Sequence, residues 1–223
     1  MKNPSIALTI LLIVVVFVDS KAQNYFRVNA GYLIPSGEFA DKSFEENSGM
    51  ADEGFGYSVD FSKIYGSGLG WSLMAGKHTN TMDIGNLKQM AEDEFGGEWN
   101  IITDDWSYYF VMAGFLYQFS WGIDFEVGVS GGYVNSVSPA IHVDYQFNEQ
   151  SDQLELPESK SEALAFMPRL RFSYPLKKFV LSLNASTFLA RPKFKVTLLD
   201  GEEYNVKQYI INSNLGIGIG YKL

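Results

Sequence analysis

Six charged residues, Arg27, Asp60, Asp124, Glu126, Arg169 and Arg171, stand inside segments that are otherwise small or apolar at alternate positions. Three acids and three arginines brought into one narrow space must pair, because an unpaired charge out of water is costly. Glu126 and Arg171 fall at a similar depth on neighbouring segments, with the other four within a few residues of that level. Two readings of the cluster stay open. It is a salt-bridged plug that blocks an interior channel, or it is simply the satisfied interior of a closed sheet.

Other chemistry is poorly supplied. The chain has no cysteine, which excludes catalytic thiols, thiolate metal sites, disulfides and a lipid-modified cysteine. Its two histidines, His78 and His142, lie near segment ends. His142 with Asp144 and nearby serines has the residue types of a Ser-His-acid set. No spacing marks a nucleophile, so both read as exposed loop histidines. No catalytic residue, cofactor or metal-ligand set is expected, and the protein reads as a non-enzyme. The net charge of −9 argues against a nucleic-acid partner, which needs a basic face.

The elements that must hold the six charges are strands. Alternation with a period of two runs through 25–34, 54–64, 69–77, 106–117, 123–135, 164–174, 179–189 and 209–223. The last of these ends in Leu-Gly-Ile-Gly-Ile-Gly-Tyr-Lys-Leu, apolar at every odd position, and is expected to form the C-terminal strand. Seventeen Phe, 13 Tyr and 21 Gly fit an all-β protein of aromatic strands punctuated by glycine. Connections at 65–68, 118–122 and 175–178 are tight, whereas 35–53, 78–105, 136–163 and 190–208 are long and polar. Short turns on one rim and long loops on the other predict an eight-stranded antiparallel up-and-down transmembrane barrel. The fourth segment is apolar on both faces and its facing stays open.

The placement of charge sharpens that expectation. Beyond the leader, every acid except Asp60, Asp124 and Glu126 lies in the four long loops. Those three share the polar face with Arg27, Arg169, Arg171 and Lys222. The apolar face carries charge only near strand ends, at Lys63 and Lys77, where a long side chain can snorkel. A charge at mid-bilayer costs a few kcal/mol on a barrel's lipid face, by order of magnitude. A soluble lipocalin-type barrel would have the inverse pattern, and a secreted sandwich would show charges along one face throughout.

Residues 1–22 read as a secretory signal peptide: Lys2, an apolar core from Ile6 to Val18, then Ser20-Lys21-Ala22 before Gln23. The core is short of the roughly 18 to 20 residues of a membrane span. Residues 23–223 then form one barrel domain.

The Ala22-Gln23 junction, the opening strand with Asn29-Ala30-Gly31-Tyr32, and the closing stretch Leu215–Leu223 carry a resemblance across the mature chain. It resembles the small outer-membrane barrels of the OmpA-domain and OmpX type, and most of all the porin-family outer-membrane β-barrel proteins common in Bacteroidetes. The resemblance implies an integral outer-membrane protein of a Gram-negative envelope, in contact with outer-membrane lipids and lipopolysaccharide. It implies insertion by the barrel-assembly machinery, with Ile219, Tyr221 and Leu223 as the assembly signal. Members usually end in an aromatic residue, and Leu223 departs from that.

The family fixes no single activity. The expectation is a monomeric structural or surface-interaction component that engages an unidentified surface or envelope protein. The alternatives are a narrow diffusion channel, a lipid A-modifying enzyme, or an accessory subunit of a secretion or gliding machine. In the loops, acids such as Glu92-Asp93-Glu94 and Asp104-Asp105 either bridge divalent cations to lipopolysaccharide phosphates or are solvated and repelling, and the latter reading is preferred. Loop four is basic, at Arg191, Lys193, Lys195 and Lys207. Asp200-Gly201 predicts a hairpin that extends the last two strands above the membrane, with an edge open to a partner strand. Loop two predicts a marginal helix with Asn86 as its N-cap and Gly96-Gly97 as its stop.

Overall fold

The computed structural model describes residues 22–43, 48–147, 150–197 and 203–223. The expected leader, apart from Ala22, and the Asp200-Gly201 turn lie outside the described residues. Eight antiparallel strands close into a barrel: β1 (Gln23–Ser36), β2 (Ala51–Ile64), β3 (Leu69–Met82), then, past a short loop strand β4 (Glu98–Thr103), β5 (Trp106–Ser120) and β6 (Asp124–Val137), and, past loop strands β7 (Ile141–Phe147) and β8 (Gln150–Leu156), β9 (Lys160–Leu176) and β10 (Phe179–Ala190). After a ribbon of β11 (Lys193–Thr197) and β12 (Glu203–Lys207), β13 (Ile210–Lys222) returns to pair with β1. All eight segments expected to span the membrane are strands of the barrel. Among the described residues no helix is long and apolar enough to cross a membrane; the strands make the crossing.

Alternation decides the two faces. Val28, Val59, Leu73, Val111, Val127, Leu170, Leu181, Leu183 and Ile217 all point outward and are exposed. They form an aliphatic band between two aromatic girdles. Phe26, Tyr117, Phe119, Phe172, Tyr174, Phe179 and Tyr221 ring the short-turn side, and Tyr32, Phe55, Tyr57, Tyr109 and Tyr133 ring the long-loop side. Such a belt needs lipid, and the girdles belong at its two interfaces. The cations at the belt's margins sit over rings: Lys77 Nζ lies 5.1 Å from the centre of Tyr109, and Lys63 Nζ 5.4 Å from that of Tyr65. The strand of undecided facing is resolved too. Tyr108, Phe110, Met112 and Leu116 of β5 are buried inward while Tyr109, Val111 and Phe115 face out. Inside and outside of β5 are both apolar because it meets lipid on one face and a packed interior on the other.

One strand breaks its own ladder. Pro168 sits in the middle of β9 and has no N–H to donate. Pairing of β9 with β10 lapses there: Arg169 pairs with Ser186 and Phe166 with Leu189, while Thr187 and Phe188 have no ladder partner on β9. On its other edge Pro168 still pairs with Val129.

Above the membrane the long loops are built, not merely polar. β4, β7 and β8 make a three-stranded sheet with β7 in the centre, which the expectation of plain loops missed. The ribbon β11–β12 is present, with Phe194 opposite Val206. It is a separate element, not an extension of β10 and β13, since Arg191-Pro192 and Gln208-Tyr209 interrupt both strands. It leans on the barrel through Lys193 N–H to Ser161 Oγ (2.8 Å) and Lys195 N–H to Ser159 Oγ (3.2 Å). Helix α1 (Ile84–Phe95) is longer than expected, and its N-cap is Asp83, not Asn86. The Asp83 carboxylate accepts from Asn86 N–H at 2.9 Å and is paired with Lys42 of loop one.

Two outcomes follow. Ile217→Arg, at the middle of the lipid face, lowers the unfolding free energy in bilayers by roughly 2 to 4 kcal/mol in a urea titration; an unchanged midpoint would contradict the assigned facing. The Lys42 ammonium and the Asn86 N–H hold the Asp83 carboxyl below the usual carboxylate range. Its contribution to the helix cap is therefore present above about pH 4 and lost as pH falls through the lowered value. The protection of α1 amides relative to their intrinsic exchange rates falls on acidification, and Asp83→Ala gives the lower protection already at neutral pH.

Candidate functional site

Five of the six expected charges meet inside the barrel, because the ladder brings them level. Arg27 lies opposite Asp60 on β2, and Glu126 opposite Arg171 on β9. Arg171 bridges both acids, with Nη2 at 2.8 Å from Asp60 Oδ2 and Nη1 at 3.2 Å from Glu126 Oε1. Arg27 does the same, 3.2 Å from Asp60 and 3.5 Å from Glu126, and Arg169 Nη2 lies 3.4 Å from Glu126. Arg27 is 1 % exposed and Glu126 2 %. Neutral side chains complete the layer: Ser62 Oγ accepts from Arg27 at 2.6 Å, Ser72 Oγ from Arg169 at 2.8 Å, and Asn184 Oδ1 from Arg171 Nε at 2.6 Å.

Room for these long side chains comes from β13. A Cβ at Gly220 would meet Arg27 Cγ at 2.7 Å, and one at Gly218 would meet Asn29 Oδ1 at 2.4 Å. Gly220 and Gly218 of the closing strand are therefore the space that the Arg27 stem and the Asn29 amide occupy.

Asp124 is the exception and corrects the expectation. It stands at the first residue of β6, beside the short turn, where Ser120 Oγ donates to it at 2.6 Å. Its position at the rim leaves it solvated and out of reach of the arginines. The layer thus holds three guanidiniums against two carboxylates.

The charged layer is one of three. Below it, toward the short turns, Tyr25, Ile64, Leu116 and Val180 form an apolar floor, and the Arg27 guanidinium lies 4.4 Å from the Tyr25 ring centre. Above it, Met74, Tyr108, Phe110, Met112, Met167 and Phe188 fill the lumen. His78 belongs to this upper layer. It was expected to be an exposed loop histidine, yet it is 2 % exposed and packs edge-on against Phe110 (4.9 Å) and Phe188 (5.6 Å). β3 runs five residues further than its alternation indicated, which carries His78 inward. Within this layer Tyr108 O–H donates to Asn80, and Asn212 Nδ2 donates to Tyr108 Oη at 2.8 Å.

Loop one lids the stack. Its short 3₁₀ turn, Gly37–Phe39, places Phe39 wholly buried against Trp106 (5.4 Å) and Tyr108 (6.1 Å). Gly49 permits this approach, since a Cβ there would lie 2.5 Å from Phe39 O, and its own carbonyl accepts from Trp106 Nε1 at 2.9 Å.

The other candidates are placed plainly. His142 is half-exposed on β7, between Asp144 (3.3 Å) and Glu155 (3.3 Å), with no serine hydroxyl among these pairings. Among the described residues no three His, Asp or Glu side chains converge to hold a metal ion. Ile219 and Tyr221 face outward on β13, Tyr221 packing on Phe179 at 5.5 Å, and Leu223 N–H donates to Asn24 O at 3.0 Å.

No protein-family profile matches the sequence, and no curated protein resembles it. Solved structures do. OprG, an outer membrane protein of Pseudomonas aeruginosa, aligns with a TM-score of 0.53 at 13 % identity, covering 92 % of this chain and 97 % of that one. A major outer membrane protein of Thermus thermophilus aligns at 0.52 and 14 % identity, covering 90 % and 99 %. At such identities the likeness is one of fold. In fold and in its lipid-facing belt the chain is a small outer-membrane β-barrel.

The network predicts unequal roles for its acids. Glu126→Gln leaves three guanidiniums facing one carboxylate and costs about 3 to 5 kcal/mol in bilayer unfolding. Asp124→Asn stays within about 1 kcal/mol of the parent. Equal effects of the two substitutions would contradict the geometry.

Proposed function

We propose that this protein is a non-enzymatic, surface-presenting barrel of the outer membrane, whose business lies in its loops and not in its lumen. The observation that carries the reading is the filled interior. Floor, charged layer, aromatic layer and the Phe39 lid succeed one another along the axis, and a cavity among their side chains measures only about 30 Å³. In this reading Arg27, Asp60, Glu126, Arg169 and Arg171 act as a structural plug, which weighs against the diffusion channel.

The invested structure stands outside the membrane. The β4–β7–β8 sheet, α1 and the β11–β12 ribbon present ordered strand edges and an open groove of about 880 Å³ lined by Lys88, Glu92, Asn100, Asp144 and Gln153 among others. A built platform on a sealed support suits recognition of another surface or envelope protein. The acid-flanked His142, with no nucleophile paired to it, weighs against a lipid A-modifying enzyme. We propose further that Ile219, Tyr221 and Leu223 serve as the strand read by the barrel-assembly machinery, and that residues 1–22 are removed on export.

Planar-bilayer recording tests the sealed lumen. The purified barrel gives no steady ohmic steps, and Phe39→Ala combined with Glu126→Ala introduces brief openings. Large stable steps from the parent protein would overturn the reading in favour of a pore.

A further inference from the structure

Among the described residues Arg169 is the least satisfied member of the network: Arg27 Nε and Glu126 Oε2 each lack a hydrogen bond, and Arg169 lacks two. Its Nη2 is engaged by Ser72 and Glu126, but Nε and Nη1 are buried with no hydrogen-bond partner among the described residues. The residue is 6 % exposed, and the layer it belongs to carries one more guanidinium than carboxylates. A buried surplus cation with free N–H groups calls for an oxyanion.

The wall beside Arg169 is the lapse in the ladder at Pro168. Inside, the 30 Å³ cavity is lined by Arg169, Leu170, Ala185, Ser186 and Asn214 among others. Outside, a groove of about 370 Å³ on the lipid face is lined by those same five residues together with Pro168, Thr187 and Ser213. The two spaces share one wall, and that wall is where β9 and β10 lose their pairing. Outward positions here are small (Ala185, Thr187, Ser213), while the belt around them is bulky. Farther along the same strands toward the short turns, Phe172, Leu181, Leu183, Ile217 and Ile219 line a second, largely apolar groove of about 650 Å³.

We propose that the β9–β10 seam is a binding site for a membrane-dissolved amphiphile of the fatty-acid type, its carboxylate on Arg169 and its acyl chain in the outer apolar groove. A small oxyanion matches the 30 Å³ cavity, which has no room for a sugar or a bulky phosphodiester head. A single negative charge matches the surplus of one guanidinium. Nε and Nη1 are each free to donate a charge-assisted hydrogen bond to a carboxylate oxygen. The site is separate from whatever the loops bind, so it stands or falls apart from the proposed surface role.

The test uses the full barrel in lipid nanodiscs with photoactivatable long-chain probes that differ only in the head: carboxylic acid, alcohol or phosphate monoester. Peptide mapping locates the crosslinks. The acid probe labels β9 and β10 peptides about tenfold more than the alcohol, equivalent to about 1.4 kcal/mol. Arg169→Gln reduces acid labelling to the alcohol level. Ala185→Phe, which fills the outer groove and leaves the network untouched, does the same in a barrel whose heat-modifiable gel migration is unchanged. Pro168→Val, which restores the missing donor, lowers labelling as well. Equal labelling by acid and alcohol, crosslinks spread evenly around the belt, parent-like labelling of Ala185→Phe, or preference for the phosphate probe would each overturn the proposal.

Discussion

A bilayer interior offers no water to a backbone amide, so a sheet that crosses it must leave no edge unpaired. Everything in this molecule follows from the pairing of β13 with β1, which runs from Tyr25 opposite Lys222 to Ser36 opposite Ile211. That single seam joins residues almost the whole chain apart. It turns eight hairpin-connected strands into a ring and fixes which of each pair of neighbours faces lipid and which faces inward. The aliphatic band, the two aromatic girdles and the cations seated on tyrosines at the margins are the outward half of that decision.

The inward half is a packing problem. A ring of eight strands encloses just enough space for side chains, and this chain solves it differently at different depths. Near the short turns Gly220 of β13 makes way for the Arg27 side chain; the three guanidiniums of this level need acids beside them, and register supplies Asp60 and Glu126. Farther up, Met, Phe and Tyr side chains from β3, β5, β9 and β10 replace charge with aromatic contact. The polar layer gives no net stability by its presence alone, since desolvation offsets much of the Coulomb attraction; its members are instead mutually dependent. Arg169 is where that dependence is least complete, and Pro168 beside it is where the pairing of β9 with β10 lapses.

Much of this was legible from residue order. A period of two is robust when one face is lipid, so the eight strands and the facing of all but the fourth could be read from alternation. The levels of Glu126 and Arg171 could be read because each stands four residues from a short turn on the same rim, Glu126 from Gly122 and Arg171 from Pro175. What failed has physical reasons. β5 has apolar residues on both faces, so pattern cannot distinguish lipid from core. His78 was misjudged because β3 continues above the point where its alternation fades. Asp83 outcompeted Asn86 as the cap because it also reaches Lys42, a contact set by tertiary structure and not by sequence spacing. The β4–β7–β8 sheet escaped notice although β7 alternates cleanly from Ile141 to Phe147, because its strands are short and stand within long polar connections. Pro168 was in plain view, but its consequence appears only once β10 is known to lie beside it.

The seat of Phe39 carries a further implication for how the molecule comes together. Its ring rests on Trp106 and Tyr108 of the fourth barrel strand, while its 3₁₀ turn lies against β13, the eighth strand of the ring. None of these surfaces exists near the others until the sheet has curled through its full circumference. The lid can settle only after the ring is complete, so it is a late event in biogenesis and a sign that the event before it has succeeded. An immature chain, still open at its seam, would display loop one unanchored above the membrane, which makes that loop the part of the protein that distinguishes a finished barrel from an unfinished one.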